Sequence, residues 1–138
     1  DYVAIIQEMI HDVRVIPLIP KSAIDEKIRL WHGDSRGYWD GDTLVIETAN
    51  FSDASDLRGS AGKRVFMEKF TRTAADNLQY EFTIEDASTW TAPWTAVINY
   101  SSSEDPIFEY ACHEGNYGLS GILSGHRAQE QAANSGGN

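Results

Sequence analysis

Arg36-Gly37-Tyr38-Trp39-Asp40-Gly41-Asp42-Thr43-Leu44-Val45-Ile46-Glu47-Thr48 is the stretch on which the reading of this chain turns. Asp40-Gly41 is a hairpin dipeptide, because a tight type I′ turn needs positive φ and Asp and Gly tolerate it best. Trp39 and Thr43 then flank the turn, and the residues on either side form an antiparallel pair. Further along, residues 64–73 and 77–85 repeat the arrangement across a short turn at 74–76. The second of these alternates, with Leu78, Tyr80, Phe82 and Ile84 facing one way and Gln79, Glu81, Thr83 and Glu85 the other. A period of two marks a half-buried antiparallel strand. Residues 95–100 and 107–112 supply two more strands, joined by a polar turn at 101–106.

Upstream, residues 2–19 are dense in Val and Ile, whose branched side chains suit a pleated surface. As one continuous strand this segment places His11 on the more apolar face and Glu8, Asp12 and Arg14 on the other. A turn near His11-Asp12 would break that parity. Pro17 and Pro20 end the strand, since neither donates to a ladder. Residues 22–30 read as a short helical turn with Ser22 as its cap. Residues 49–62, rich in Ser, Asp and Gly, read as a long surface loop over an opening in the sheet. Beyond Glu114, four glycines interrupt a weakly apolar run, and residues 128–138 carry too little apolar surface to pack, which predicts a frayed or helical end and then disorder.

About seven short strands without βαβ alternation predict an all-β fold, an antiparallel lipocalin-like barrel rather than a flat sandwich. The expected organisation is a single β domain over residues 1–125, with a short helical segment and a flexible tail over 126–138. A Gly-rich phosphate loop is missing, so a nucleotide cofactor has no local support, and the sequence names no other cofactor.

The composition narrows the function classes. In 138 residues, 11 Lys and Arg face 21 Asp and Glu, for a formal charge of -10. The bases are scattered, so a polyanionic nucleic acid would be repelled. No apolar run approaches the roughly 20 residues that span a bilayer, and no basic amphipathic stretch suggests a surface helix. A chain of this length buries about two-thirds of its unfolded surface, enough for an ordinary core without a disulfide or structural metal. The lone Cys112 says nothing about redox compartment. The start at Asp1, without a basic n-region, is expected to be that of a processed or partial chain.

Chemistry is sought first at the histidines. His11 lies beside Glu8, and His113 lies between Cys112 and Glu114; an imidazole held by a carboxylate exchanges protons near neutral pH. If their strands are neighbours, His11, His113, Glu8 and Glu114 form one catalytic pocket. The competing reading is that each His satisfies a backbone carbonyl at a strand end. His11, His113 and Glu114, with His32 or Glu8, also have the chemistry of a metal site, but no tight His-x-His or His-x-x-x-His spacing supports it, and no metal ligands are assigned. Cys112 and His113 point to opposite faces of a strand, which makes Cys112 a buried thiol rather than a nucleophile. Trp31, Trp90 and Tyr117 stand near predicted turns and strand ends, where stacking on a ligand at a barrel mouth is expected, whereas Trp39 and Trp94 read as core. Glu47 and Glu68 interrupt apolar strands, so an inward carboxylate needs a partner such as Arg14 or Arg36. Either arginine would equally bind an anionic group of a substrate.

The motif at residues 33–48, of the form G-x-W-x-G-D-T-L-V-V, resembles that of a large, poorly characterised family of β-rich bacterial and metagenomic proteins that look secreted. The resemblance continues at Glu8-Met9-Ile10-His11-Asp12-Val13-Arg14, Glu68-Lys69-Phe70, Thr91-Ala92-Pro93-Trp94-Thr95 and Tyr110-Ala111-Cys112-His113-Glu114-Gly115-Asn116-Tyr117-Gly118, and so covers most of residues 2–119. It implies motif positions for Glu8, His11, Arg14, Cys112, His113 and Glu114, a secreted or periplasmic location, and further upstream sequence, without assigning an activity. His32 stands where similar chains are often apolar, which counts against it as a ligand.

Three functional expectations follow. The first is a small-molecule-binding barrel, with proton transfer by His11 or His113 and Glu8 or Glu114. The second is a binding or assembly module whose first strand pairs with another copy as a homo-oligomer. The third is a metal-dependent oxidoreductase or hydrolase of cupin-like shape.

Overall fold

A computed structural model describes residues 1–18, 24–108 and 117–135. The chain divides into two compact units, Asp1–Ile107 and Phe108–Asn138. Among the described residues the first unit holds seven strands: β1 (Tyr2–Ile6), β2 (Val13–Pro17), β3 (Asp34–Asp40), β4 (Thr43–Ala49), β5 (Val65–Ala74), β6 (Asn77–Glu85) and β7 (Trp94–Ser101). The second holds α1 (Gly118–Ser135), with the exposed apolar side chains Leu119, Ile122 and Leu123 on one side. The tail boundary expected at residue 125 falls inside this helix. No helix among the described residues is long and apolar enough to cross a membrane.

All pairings between strands are antiparallel, in a two-stranded sheet β1-β2 and a five-stranded meander β3-β4-β5-β6-β7. The meander is not a barrel. Among the described residues β3 and β7 remain at opposite edges and do not pair, so the expected lipocalin-like closure is replaced by an open sheet with a hairpin over one face. The strand expected at 107–112 does not include Ile107 or Phe108, and its other residues lie outside those described.

Register shows which residues share the covered face, because directly paired residues of an antiparallel sheet point the same way. Gly37, Ile46, Glu68, Phe82 and Ala96 form one row across all five strands. Trp39, Leu44, Phe70, Tyr80 and Ile98 form the next row on one side, and Ser35, Thr48, Phe66, Ile84 and Trp94 the row on the other. The β1-β2 hairpin packs Ile16 against Leu44 and Ile46, with Val3, Ile5, Leu18 and Phe70 around them. Ile16 and Ile46 are fully buried. Gly37 is what allows the hairpin to sit this close: a Cβ there would lie 3.0 Å from both Ile16 Cγ2 and Leu18 Cδ2.

Two local readings need correction. The Asp40–Thr43 pair closes β3-β4, so the loop is Gly41-Asp42, with positive φ only at Gly41 (59°). That is the pattern of a type II′ turn, one residue later than the type I′ turn expected at Asp40-Gly41. The continuous strand through His11 gives way to the alternative, a turn near His11-Asp12: two strands are joined by a tight turn at residues 7–12, where Gln7 N donates to Asp12 O at 2.9 Å and His11 N to Glu8 O at 3.1 Å. Ile10 (φ 69°) and His11 (φ 45°) both adopt left-handed conformations there, costly above all for a β-branched residue. The parity assigned to His11 is therefore lost.

Replacing Gly37 with Val should overpack the hairpin-sheet contact and cost about 1–3 kcal/mol, whereas Ile10→Gly should stabilise the fold by about 1 kcal/mol by removing the left-handed penalty. Urea unfolding of both variants against the parent checks the two opposite signs.

Candidate functional site

The hairpin is fastened to the sheet by a buried ion pair. Glu68, in the middle of the central row, is 1% exposed and accepts two hydrogen bonds from Arg14 of β2, Nη1 to Oε1 at 3.0 Å and Nη2 to Oε2 at 2.6 Å. Tyr80 Oη donates to the same Oε1 at 2.8 Å. Ser35 Oγ and Thr48 Oγ1, 2.8 Å apart, lie 3.5 and 3.4 Å from Arg14 Nη2. The partner that an inward Glu68 requires is thus Arg14. Burial by itself would lower the Arg14 pKa, but the hydrogen bond to Glu68 and its charge more than offset this and hold the guanidinium above its ordinary range. Burial first, and then the Glu68 carboxylate, push the Tyr80 hydroxyl far above the usual phenol range, so it stays a neutral donor.

Arg14 also lines a groove of about 210 Å³ together with Gln7, Trp31, His32, Phe51, Ser55, Arg64 and Phe66. One wall is the 50–63 loop, which is held by two polar anchors. Arg64 is 6% exposed, stacks over the Phe51 ring with its guanidinium carbon 3.8 Å from the centroid, and donates to the carbonyls of Ser55, Ser60 and Ala61 and to Ser55 Oγ. Among the described residues Arg64 has no carboxylate within ion-pair distance; burial lowers its pKa, and the charges of Asp56 and Asp86 work against that. Asp86, just beyond β6, accepts from Ser88 N, Ser88 Oγ, Ser60 Oγ and Thr89 Oγ1, and these bonds, chiefly those from Ser88 and Ser60, hold its carboxyl down at about 2.

The other wall of the groove carries a carboxylate-imidazole pair. Asp12, at the hairpin turn, places Oδ2 3.0 Å from His32 Nε2, with side chains 37% and 48% exposed. Trp31, beside His32, is 59% exposed.

The sequence-predicted residues distribute as follows. Arg14 and Trp31 meet in the groove. Glu8 and His11 are exposed at the hairpin turn, while His113 and Glu114 lie outside the described residues, as does Cys112. Arg36 lies on the opposite face of the sheet, bonded to Asp34 and in register with the exposed Glu47 above a small hollow of about 100 Å³. Trp90 is half-buried edge-on to Trp94, which meets Phe82 in turn, and Tyr117 is 79% exposed ahead of α1. Trp39, expected in the core, is 57% exposed over an apolar hollow with Ile5, Leu44, Phe70 and Leu78. Among the described residues no three His, Cys, Asp or Glu side chains gather as a metal site would require.

Sequence reasoning missed Asp12 as the partner of His32, and Arg64, Phe51 and Phe66 as groove residues. A basic residue closing a Ser/Gly-rich loop just before a strand was the one available signal for Arg64. In comparisons with family models, curated proteins and solved structures, the chain matches none.

Arg14→Met, which strands Glu68 in the sheet, should cost about 3–5 kcal/mol, while Arg14→Met combined with Glu68→Leu should recover most of that loss, because buried charge is expensive chiefly when unpaired. A double-mutant cycle in urea measures the coupling. Asp86 gives a pH signature. Its folded pKa is about 2 against an ordinary 3.8, so its contribution is complete above about pH 4 and lost as pH falls towards 2. Melting temperatures of Asp86→Asn should show a shallower decline than the parent through that window.

Proposed function

We propose that the protein binds a small molecule in the groove between the hairpin and the 50–63 loop, and that the ligand joins a flat apolar body to an anionic group. The observation that carries this reading is the composition of a single concavity: Trp31, Phe51 and Phe66 supply aromatic surface, and the buried Arg64 brings a positive charge that no carboxylate pairs with among the described residues. In a chain of charge -10, a buried cation that only the more distant Asp56 and Asp86 offset among the described residues favours an anion from outside. Arg14 contributes shape and hydrogen-bonding edge rather than net charge, since Glu68 already neutralises it.

A second reading, proton transfer on the bound molecule, is favoured by the Asp12-His32 pair. A carboxylate on Nε2 fixes the tautomer and orientation of the ring and leaves Nδ1 as the group that exchanges a proton. It moves the acid-base role from His11 and Glu8, which stand exposed at the hairpin turn, to their neighbour Asp12 and to His32. Pairing of His11 with His113 and Glu114 remains a separate proposal about residues that lie partly outside those described.

Titration of tryptophan fluorescence with aromatic carboxylates, each matched with its neutral amide, tests the reading. The carboxylates should bind saturably and about tenfold more tightly than their amides, a difference of ~1.4 kcal/mol, and Trp31→Ala should abolish most of the signal. Equal binding of acid and amide, or binding indifferent to Trp31→Ala, would remove the proposed site. His32→Gln, which keeps a hydrogen-bonding side chain in place of the imidazole, should leave affinity within about twofold while abolishing any turnover of a bound substrate.

A further inference from the structure

The inner face of the β1-β2 hairpin is occupied by the core, yet its outer face is equally apolar. Tyr2, Ala4 and Ile6 of β1 alternate with the inward Val3 and Ile5, and Val13, Val15 and Pro17 of β2 alternate with the inward Arg14 and Ile16. Register sets Tyr2 beside Pro17, Ala4 beside Val15 and Ile6 beside Val13, so the outer face is one unbroken apolar panel with no charged side chain. Tyr2 is 67%, Ile6 59%, Val13 52% and Val15 60% exposed. Strands apolar on both faces are the pattern of strands covered on both sides. At the end of the same hairpin, Met9 and Ile10 are 63% and 67% exposed, and Ile10 holds a left-handed φ that its branched side chain disfavours. Among the described residues its side chain is left 67% exposed, and an outlier kept at such a cost points to a role outside the fold.

We propose that this panel is a homodimer interface, two hairpins packing outer face to outer face about a two-fold axis near Ala4 and Val15. Area and charge select a second copy as the occupant. Side chains half to two-thirds exposed over a whole hairpin face and its tip offer a surface of the same order as the roughly 800 Å² per partner that a standard interface buries, and beyond the few hundred Å² of a typical exposed patch. The panel's only polar side-chain atom is the Tyr2 hydroxyl, so it carries no charge pattern with which to choose a different partner, whereas a two-fold axis sets the same charge-free patch against itself. In a chain of charge -10, confining contact to a charge-free panel keeps the acids apart. Asp1 lies at one end of the hairpin, and Glu8 and Asp12 at the other. The residual repulsion between two such chains is screened by salt.

Sedimentation velocity of the full chain, over a dilution series from micromolar to millimolar at low and high sodium chloride, tests the interface. The expected result is a reversible monomer-dimer equilibrium that tightens with salt. Val15→Asp and Val15→Lys should each weaken it by about tenfold or more, and an equimolar mixture of the two should restore it, because a two-fold axis near Val15 brings the opposite charges together. Val97→Asp, at a residue 52% exposed on the opposite face of the meander, should leave it unchanged. Circular dichroism and urea melting of each variant separate lost association from lost folding. A strict monomer overturns the proposal, and so does a dimer that survives Val15→Asp in a folded variant; association that weakens with salt would assign the panel's surroundings to a charged partner and overturn it as well.

Discussion

The bond between Arg14 and Glu68 is the constraint around which the rest of the structure is arranged. A carboxylate in the central row of a five-stranded sheet is tenable only if something brings it a compensating charge and fills its lone pairs. The hairpin brings the guanidinium from above, and Tyr80, in the adjacent row, brings a hydroxyl from within the sheet. Apolar contact through Ile16 makes the hairpin adhere; the ion pair decides where. Sliding β2 by one residue would turn Arg14 outward and expose Glu68 to a hydrophobic surface, so the charged pair penalises every register but one. That makes specificity of docking, more than net stability, the stronger account of why a charge pair stands where an apolar pair would pack.

From that docking the groove follows. The hairpin covers β3, β4 and part of β5 and leaves the space between its turn and the 50–63 loop open. Arg64 and Asp86 keep the loop from collapsing into this space, one by gathering carbonyls and the other by gathering hydroxyls. Both anchors bind the loop's own polar groups, so its backbone is satisfied without a regular element and a concavity survives beside a packed core. Beyond the hairpin, the same face continues as the aromatic series Phe82, Tyr80, Trp94 and Tyr100, whose tilted and stacked contacts hold β6 to β7.

What could be read from the sequence was whatever depends on neighbours along the chain. Alternation at Leu78, Tyr80, Phe82 and Ile84 is a local pattern, and it identified β6 and its covered face. Glu68 was conspicuous because a charge inside an apolar alternation demands an explanation, and Arg14 was one of two candidates for it. The turn at Asp40-Gly41 was misplaced by one residue because Gly suits either central position of a hairpin, and only the pairing of Asp40 with Thr43 chooses between them. The sequence leaves the face of His11 open between a continuous strand and a turn near His11-Asp12, because no residue of the 7–12 turn is a Gly that would decide for the turn. The groove was illegible for a different reason. Its residues come from the hairpin, the 31–32 turn, the 50–63 loop and the start of β5, and only contacts distant in sequence bring them together: Arg14 on Glu68, Asp12 on His32, Leu30 beside Phe51 and Arg64 over Phe51. Barrel closure failed as an expectation because strand count and alternation are the same for an open meander under a hairpin as for a closed barrel; edges are a property of pairing, not of composition.

The hairpin's position has an energetic corollary. Two strands alone are marginal in water, so β1 and β2 borrow their stability from the sheet through Ile16 and Arg14. Arg14 faces the groove side, while its neighbours Val13 and Val15 face outward on the same strand. Anything bound in the groove that favours the seated hairpin over a lifted one also favours the outer panel in its ordered form, and covering that panel reciprocally favours the groove. The size of that coupling is bounded by the free energy of seating the hairpin, to which the buried pair and a few apolar contacts contribute. A ligand that touches only the 50–63 loop, whose anchors Arg64 and Asp86 do not involve the hairpin, has no such lever. The two surfaces communicate through β2 and the 7–12 turn, whose Gln7 lines the groove while Met9 and Ile10 adjoin the panel.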